Sequence, residues 1–203
     1  MWHSLQKRLA ERRLTDPRYH FLFDEQPDEL VCLDCETSSL KVRDAELLSI
    51  AAVRIHGNEL LTSESFHVRV KPTREPEGAN DETQSTSTRG IDAALEPVEA
   101  VKQLLDFIGG RALVGYYLEF DVAVLNRIVK PLIGVNLPNR QIEVSGRYYD
   151  YKLQHNPGST IDLRLKTLLS DLQLPATLPQ HDALNDAVTA GMIYLALKER
   201  GFG

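Results

Sequence analysis

The sequence predicts an α/β protein with a mixed central β-sheet flanked by helices. Three observations carry this reading. Apolar segments run in the order strand, hairpin, helix, strand, helix and further helices, which is the pattern of helices layered on one sheet. The hairpin breaks the strict βαβ alternation of a dinucleotide-binding fold, and neither GxGxxG nor GxxxxGK[ST] occurs. The chain has 203 residues, 42% of them hydrophobic and 26% charged, enough to bury one substantial core.

The elements follow in order. The opening MWHSLQKRLAERRLTDPRYH lacks the apolar core of a signal peptide and reads as a short basic amphipathic helix, with Leu5, Leu9 and Leu14 near helical spacing. DPRYHFLFDEQPDE reads as a linker rich in turn residues. Residues 30–36 form the first strand, and ELLSIAAVRIHGNELLTSESFHVRV reads as two strands joined at His56-Gly57-Asn58-Glu59. Residues 71–90, KPTREPEGANDETQSTSTRG, have no periodicity and read as a long exposed loop, of a length that is often functional. In PVEAVKQLLDFIGG the residues Val98, Val101, Leu104, Leu105 and Ile108 have helical spacing, stopped by Gly109-Gly110. Its QLLDF is similar to sliding-clamp-binding pentapeptides, although the two leucines suit a helix core. ALVG is a short strand, EFDVAVLNRIVK a helix ended before Pro131, and QIEVS a weakly marked last strand. TIDLRLKTLLSDL and DALNDAVTAGMIYLALKER are the closing helices, and no internal repeat is visible.

Net charge and cysteines narrow the function. A net charge of -6 lacks the basic footprint of a non-specific duplex binder. It is compatible with gripping a few nucleotides through metal ions. No apolar run approaches the ~18 residues of a membrane span, so no membrane partner is expected. Cys32 and Cys35 form a lone CxxC. Zinc needs about four ligands, and strand positions i and i+3 face opposite sides. The pair reads as two small buried residues, and the expected location is the reducing cytoplasm.

The acids carry the chemistry. In VCLDCETSSL, Asp34 and Glu36 sit two residues apart and so share one face of a strand. Asp121 follows Phe120 in LVGYYLEFDVAVL, and Asp186 lies in HDALNDAVTA with His181 five residues before it. Each has an ordinary alternative. A first-turn acid is favoured by the helix dipole, as Asp121 would be. Asp186 suits a solvated charge, His181 a loop or capping residue, and Asp182 a helix N-cap. Asp150 and Asp162 read as structural. Together, four carboxylates converging on a sheet edge would repel one another without cations. Two divalent ions about 3.5–4 Å apart would neutralise them and suit phosphoryl transfer.

Asp34-Cys35-Glu36-Thr37, then Phe120-Asp121, then His181-xxxx-Asp186 resemble the three motifs of the DEDDh 3′–5′ exonucleases. That family includes the proofreading subunit of bacterial DNA polymerase III, RNase T and oligoribonuclease. Gly90-Ile91 also resembles the family. The likeness covers roughly residues 29 to 200, giving an exonuclease domain at 29–203 after an N-terminal helix and linker at 1–28. Tyr116-Tyr117 stand where members often carry His-Asn, and Ser39 stands where Gly is usual. The tyrosine-using branch would need Tyr at position 182, which is Asp182, so the histidine branch is the reading.

The resemblance implies an RNase H-like fold and a metal-dependent 3′–5′ exonuclease. It would release nucleoside 5′-monophosphates from single-stranded 3′ ends, DNA favoured, with two Mg²⁺ or Mn²⁺ ions per site. Asp34 would bridge both ions. Glu36 and Asp186 would complete the site of the ion that activates water, and Asp121 would help hold the other. His181 would take the proton. Thr37, Leu40, Tyr116 and Phe120 are the candidates to hold the terminal nucleotide, with plain core or rim packing the competing reading for Tyr116 and Phe120. An exoribonuclease acting on short RNA is an alternative, since sugar discrimination rests on contacts near the 2′-OH. A nucleic-acid-binding scaffold without turnover is another, opposed by the complete set of acids. Association with a polymerase is a further partner expectation.

Overall fold

A computed structural model describes residues 2–73, 94–158, 160–175 and 182–203, with side chains from Lys7 onward. The elements are α1 (Trp2–Glu11), a 3₁₀ helix (Pro17–Phe23), β1 (Glu29–Thr37), β2 (Leu47–His56), β3 (Glu59–Arg69), α2 (Pro97–Ile108), β4 (Ala112–Gly115), α3 (Leu118–Ile133), β5 (Gln141–Glu143), α4 (Val144–His155), α5 (Leu165–Asp171) and α6 (Ala183–Glu199). The sheet order is β3-β2-β1-β4-β5. The first three strands form an antiparallel meander, and β4 and β5 run parallel to β1. This is the expected mixed sheet. The hairpin turns where expected, with Gly57 at φ 58° in the first of two connecting positions, as a type II′ turn requires.

The period of β1 divides the core. Val31, Leu33 and Cys35 join the layer with α2, α3 and the 3₁₀ helix, while Leu30 and Cys32 join the layer with α4, α5 and α6. Cys32 and Cys35 are therefore free thiols buried on opposite sides of one strand. Burial pushes both thiols up, which keeps them unreactive. On the second face, α6 lies close to the sheet because Gly191 lacks a side chain. A Cβ there would fall 2.8 Å from Leu60 Cδ1 and 2.9 Å from Cys32 Sγ.

Several sequence expectations shift. The segment read as a linker folds into the 3₁₀ helix, capped by Asp16, whose carboxylate accepts from the Arg18 amide at 3.0 Å. Its Tyr19, Leu22 and Phe23 have helical spacing and are buried in the first core layer. The α3 helix runs through Pro131 and ends at Ile133, because a proline in the last turn forfeits only one bond before Gly134 closes the helix at φ 85°. The weak strand stops at Glu143, and α4, unread in the sequence, begins at Val144. Residues 160–164 stay outside α5, because Asp162 binds the Arg164 amide at 3.0 Å and the Thr167 hydroxyl at 2.7 Å, a local bond that competes with helix. Val98 is 48% exposed rather than core, whereas Leu104 and Leu105 are wholly buried, which removes QLLDF as a docking peptide. The loop expected at 71–90, from residue 74 on, and Gly90-Ile91 lie outside the described residues. Among the described residues no helix is long and apolar enough to cross a membrane.

Candidate active site

Asp34 and Glu36 continue the side of β1 occupied by Leu30 and Cys32, so both face α6. Beside them the sheet is incomplete. β4 ends at Gly115, and its last pairing with β1 joins Cys32 to Val114. The Cys35 amide thus lies past the end of β4, near enough to Asp121 to favour its carboxylate form. Asp121 sits in the first turn of α3 and is 5% exposed. From the other direction, α6 begins at Asp182, whose carboxylate accepts from the amides of Leu184 and Asn185, each at 3.1 Å. The expected cap is thereby observed. One turn further on is Asp186. Single carboxylate oxygens of Asp34, Glu36 and Asp186 all lie within 4.8 Å of one another.

Electrostatics join Asp121 to this cluster. Burial first, then the charges of Asp121, Asp186, Glu36 and Asp182, hold the Asp34 carboxyl well above its ordinary range. Burial also pushes Asp121 up, to about 8, reinforced by Glu36 and Glu143 and opposed by the nearby Cys35 amide. Gathered carboxylates of this kind call for a counter-charge. An all-oxygen donor set this compact suits a hard divalent cation.

Glu143 positions the second acid. One of its oxygens accepts from the Leu118 amide at 2.8 Å, at the start of α3, and the other from the Ser145 amide at 3.1 Å, at the start of α4. One side chain therefore fixes two helix N-termini, including the turn that carries Asp121. The sequence shows no sign of this role, because the capped residues come together only in the folded sheet.

The other expected site residues are spread around the cluster. Thr37 ends β1 and donates its hydroxyl to the Ser39 carbonyl at 3.0 Å. Leu40 is 81% exposed. Tyr116 is half-buried, and its hydroxyl donates to the Leu163 carbonyl at 2.9 Å, toward the segment before α5. Phe120 is 7% exposed and stacks on Tyr117, with ring centroids 5.6 Å apart. His181 lies outside the described residues. A histidine that sequence reading passed over, His67, pairs with Ala51, which pairs with Asp34. The three share one face of the sheet, and burial holds the His67 imidazole below its ordinary value, with the charge of Asp182 opposing.

The exonuclease family model named for RNase T matches residues 31–194. The PolC-type DNA polymerase III of Thermotoga maritima is 24% identical over 171 residues, which is 83% of this chain and 12% of the polymerase. The DNA polymerase III subunit epsilon of Aquifex aeolicus is 28% identical over 114 residues, 54% of this chain and 53% of that subunit. The chain thus spans about half of one relative and a small part of the other. Cell-death related nuclease 4 superposes with a TM-score of 0.68 at 17% identity, over 87% of this chain and 66% of that one. Exonuclease I does so with a TM-score of 0.67 at 18% identity, over 87% and 42%. The solved structures agree with the mixed sheet and the helices on its two faces, an RNase H-like fold, and the family match extends over most of the sequence: the chain belongs to the exonuclease family whose model is named for RNase T.

Proposed function

We propose that the chain is a 3′–5′ exonuclease that hydrolyses single-stranded nucleic acid and releases nucleoside 5′-monophosphates, with DNA the favoured substrate. The observation that carries this reading is the convergence of Asp34, Glu36 and Asp186 within 4.8 Å of one another, with buried Asp121 near enough for its charge to act on Asp34 and that of Glu36 to act on it. The DNA preference is supported by relatives named as DNA polymerase III proteins.

Asp34, at the centre of the cluster, and Glu36, Asp121 and Asp186 around it are the residues that would hold two divalent cations, Mg²⁺ or Mn²⁺. Bound there, such ions supply charge neutralisation at the phosphate and a water acidic enough to attack near neutral pH. The residues do the rest. Thr37, Leu40, Tyr116 and Phe120 hold the terminal nucleotide so that its phosphate faces the acids. His181 accepts the proton of the attacking water, a task suited to imidazole near neutrality. The water oxygen forms the new bond to phosphorus, and the bond to the 3′ oxygen of the upstream nucleotide breaks. That oxygen takes a proton from solvent and becomes the new 3′ end.

The test uses matched DNA and RNA oligomers labelled at either end. A 5′ label should give a descending ladder, a 3′ label should release mononucleotide at once, and EDTA should stop both. Robust cleavage in EDTA, or internal cuts in a circular substrate, would sink the reading. Faster turnover of short RNA would move the substrate to ribonucleotides.

A further inference from the structure

Tyr117 is unlike its surroundings in three respects. It adopts the left-handed conformation, φ 59° and ψ 30°, where a tyrosine is strained. It is 54% exposed, although Gly115, Leu118 and Phe120 around it are buried. Its ring lies almost parallel to that of Phe120, with planes 6° apart.

The turn itself explains only the first of these. Two residues join β4 to α3, and the second is left-handed. Asparagine or glycine meets that demand with less strain. A tyrosine here forgoes stability and leaves much of its ring in water, so core packing does not account for it. Its backbone is nonetheless held firmly. The Tyr117 carbonyl accepts from the Phe120 amide at 3.0 Å, and the next amide, that of Leu118, is bound by Glu143. Phe120 lies in an offset stack with the ring, centroids 5.6 Å apart, and so overlaps only part of one face, while over half of Tyr117 remains exposed. Phe120 is the chain neighbour of Asp121, so the pair leads from the acid cluster outward.

We propose that Tyr117 is a base-stacking residue whose open face receives a nucleobase of the single strand, upstream of the nucleotide being removed. This rests on the reading of the site as a single-strand exonuclease and adds to it a device that selects unpaired ends. Every base has a π face, so the contact tolerates any sequence. In a duplex the bases stack on one another, and that face is withheld. The phenolic hydroxyl has no part in the contact.

The experiment crosses the side chain with the base. Oligonucleotides carry either a normal base or an abasic residue next to the 3′-terminal nucleotide. In the wild type, loss of that base should raise KM by roughly 5- to 150-fold, the span of one base–aromatic stack. Tyr117→Asn should raise KM on the normal oligonucleotide by a similar factor, and the abasic penalty should then collapse toward one. Tyr117→Phe should retain both wild-type values. Relief of backbone strain should raise the melting point of Tyr117→Asn by roughly 2–4 °C, with Tyr117→Gly a second variant suited to the same turn. A direct readout uses 2-aminopurine at that position, bound to Asp34→Asn protein to block turnover. Its fluorescence should be quenched, and adding Tyr117→Asn should restore it. An abasic penalty that persists in Tyr117→Asn, with quenching intact, would overturn the proposal and leave Tyr117 a strained turn residue. Failure of the wild type to shorten strands from the 3′ end would overturn the exonuclease reading instead, while the 2-aminopurine measurement still decides on Tyr117.

Discussion

Asp182 and Asp186 stand one turn apart at the start of α6 and do different work. Asp182 spends its carboxylate on two backbone amides, whereas Asp186 meets Asp34 and Glu36. Asp182→Ala should therefore cost about 1 kcal/mol for a lost N-cap, a fall of roughly 2–4 °C in melting point. Its exonuclease rate should stay within a few fold of the wild type. His181→Ala should do the opposite, losing about 10²–10⁴ in rate, as a missing general base does, with stability and metal binding retained. His67→Ala is the control, because His67 shares the sheet face of Asp34 at one strand's remove. If Asp182→Ala is inactive while His181→Ala is normal, the third motif has been assigned to the wrong residue. At this scale the acids were legible in the sequence, because a two-residue strand period and short motifs put them on the page. Glu143 was not, since its role depends on two helix starts that meet only across β5.

The acids converge because β4 is short and α6 lies close to the sheet. The gap past Gly115 admits Asp121, and the bare face of Gly191 lets α6 approach β1 near Cys32 and β3 near Leu60. Gly191→Ala should overpack that contact and cost about 1–3 kcal/mol. It should also tilt α6 outward and carry Asp186 away from Asp34 and Glu36, so Mn²⁺ affinity and rate fall together. A lower melting point with unchanged Mn²⁺ affinity would mean that this contact does not place Asp186. The elements that sequence reading located well, such as α2 and the hairpin, have clear periods and glycine stops. Those it missed lack one of the two. The 3₁₀ helix hides Tyr19, Leu22 and Phe23 among turn-forming residues, and α4 buries only Val144 and Tyr148 of its twelve residues. Pro131 misled because proline ends a helix by default but not in a last turn that a glycine is about to close.

For the whole molecule, an acid cluster in a chain of net charge -6 makes stability depend on protons and cations together. The Asp34 and Asp121 carboxyls are raised in the folded protein, Asp121 to about 8 from a reference of 3.8. Between those values the folded state keeps protons that the unfolded chain has released. Their contribution is thus fully present below the unfolded value and is lost as pH rises through the folded one. In EDTA the melting point should fall as pH climbs from 5 to 8, and Asp121→Asn should flatten that slope. Divalent ions act in the other direction, because they bind the deprotonated folded site and not the unfolded chain. At about 100 times the dissociation constant the stabilisation is about 2.7 kcal/mol per site, a rise of roughly 5–11 °C for a chain of this size. The rise should be larger at pH 8 than at pH 5, and Mn²⁺ should reach it at lower concentration than Mg²⁺. Asp34→Asn removes the charge at the centre of the cluster, so its melting point in EDTA should hold or increase while the metal-induced rise shrinks sharply. Thermal melts of both proteins at pH 5 and 8, in EDTA, Mg²⁺ and Mn²⁺, measure all of this at once. If Asp34→Asn keeps the full metal-induced rise, the cations bind elsewhere, and the convergence of acids at the end of β1 is not a metal site.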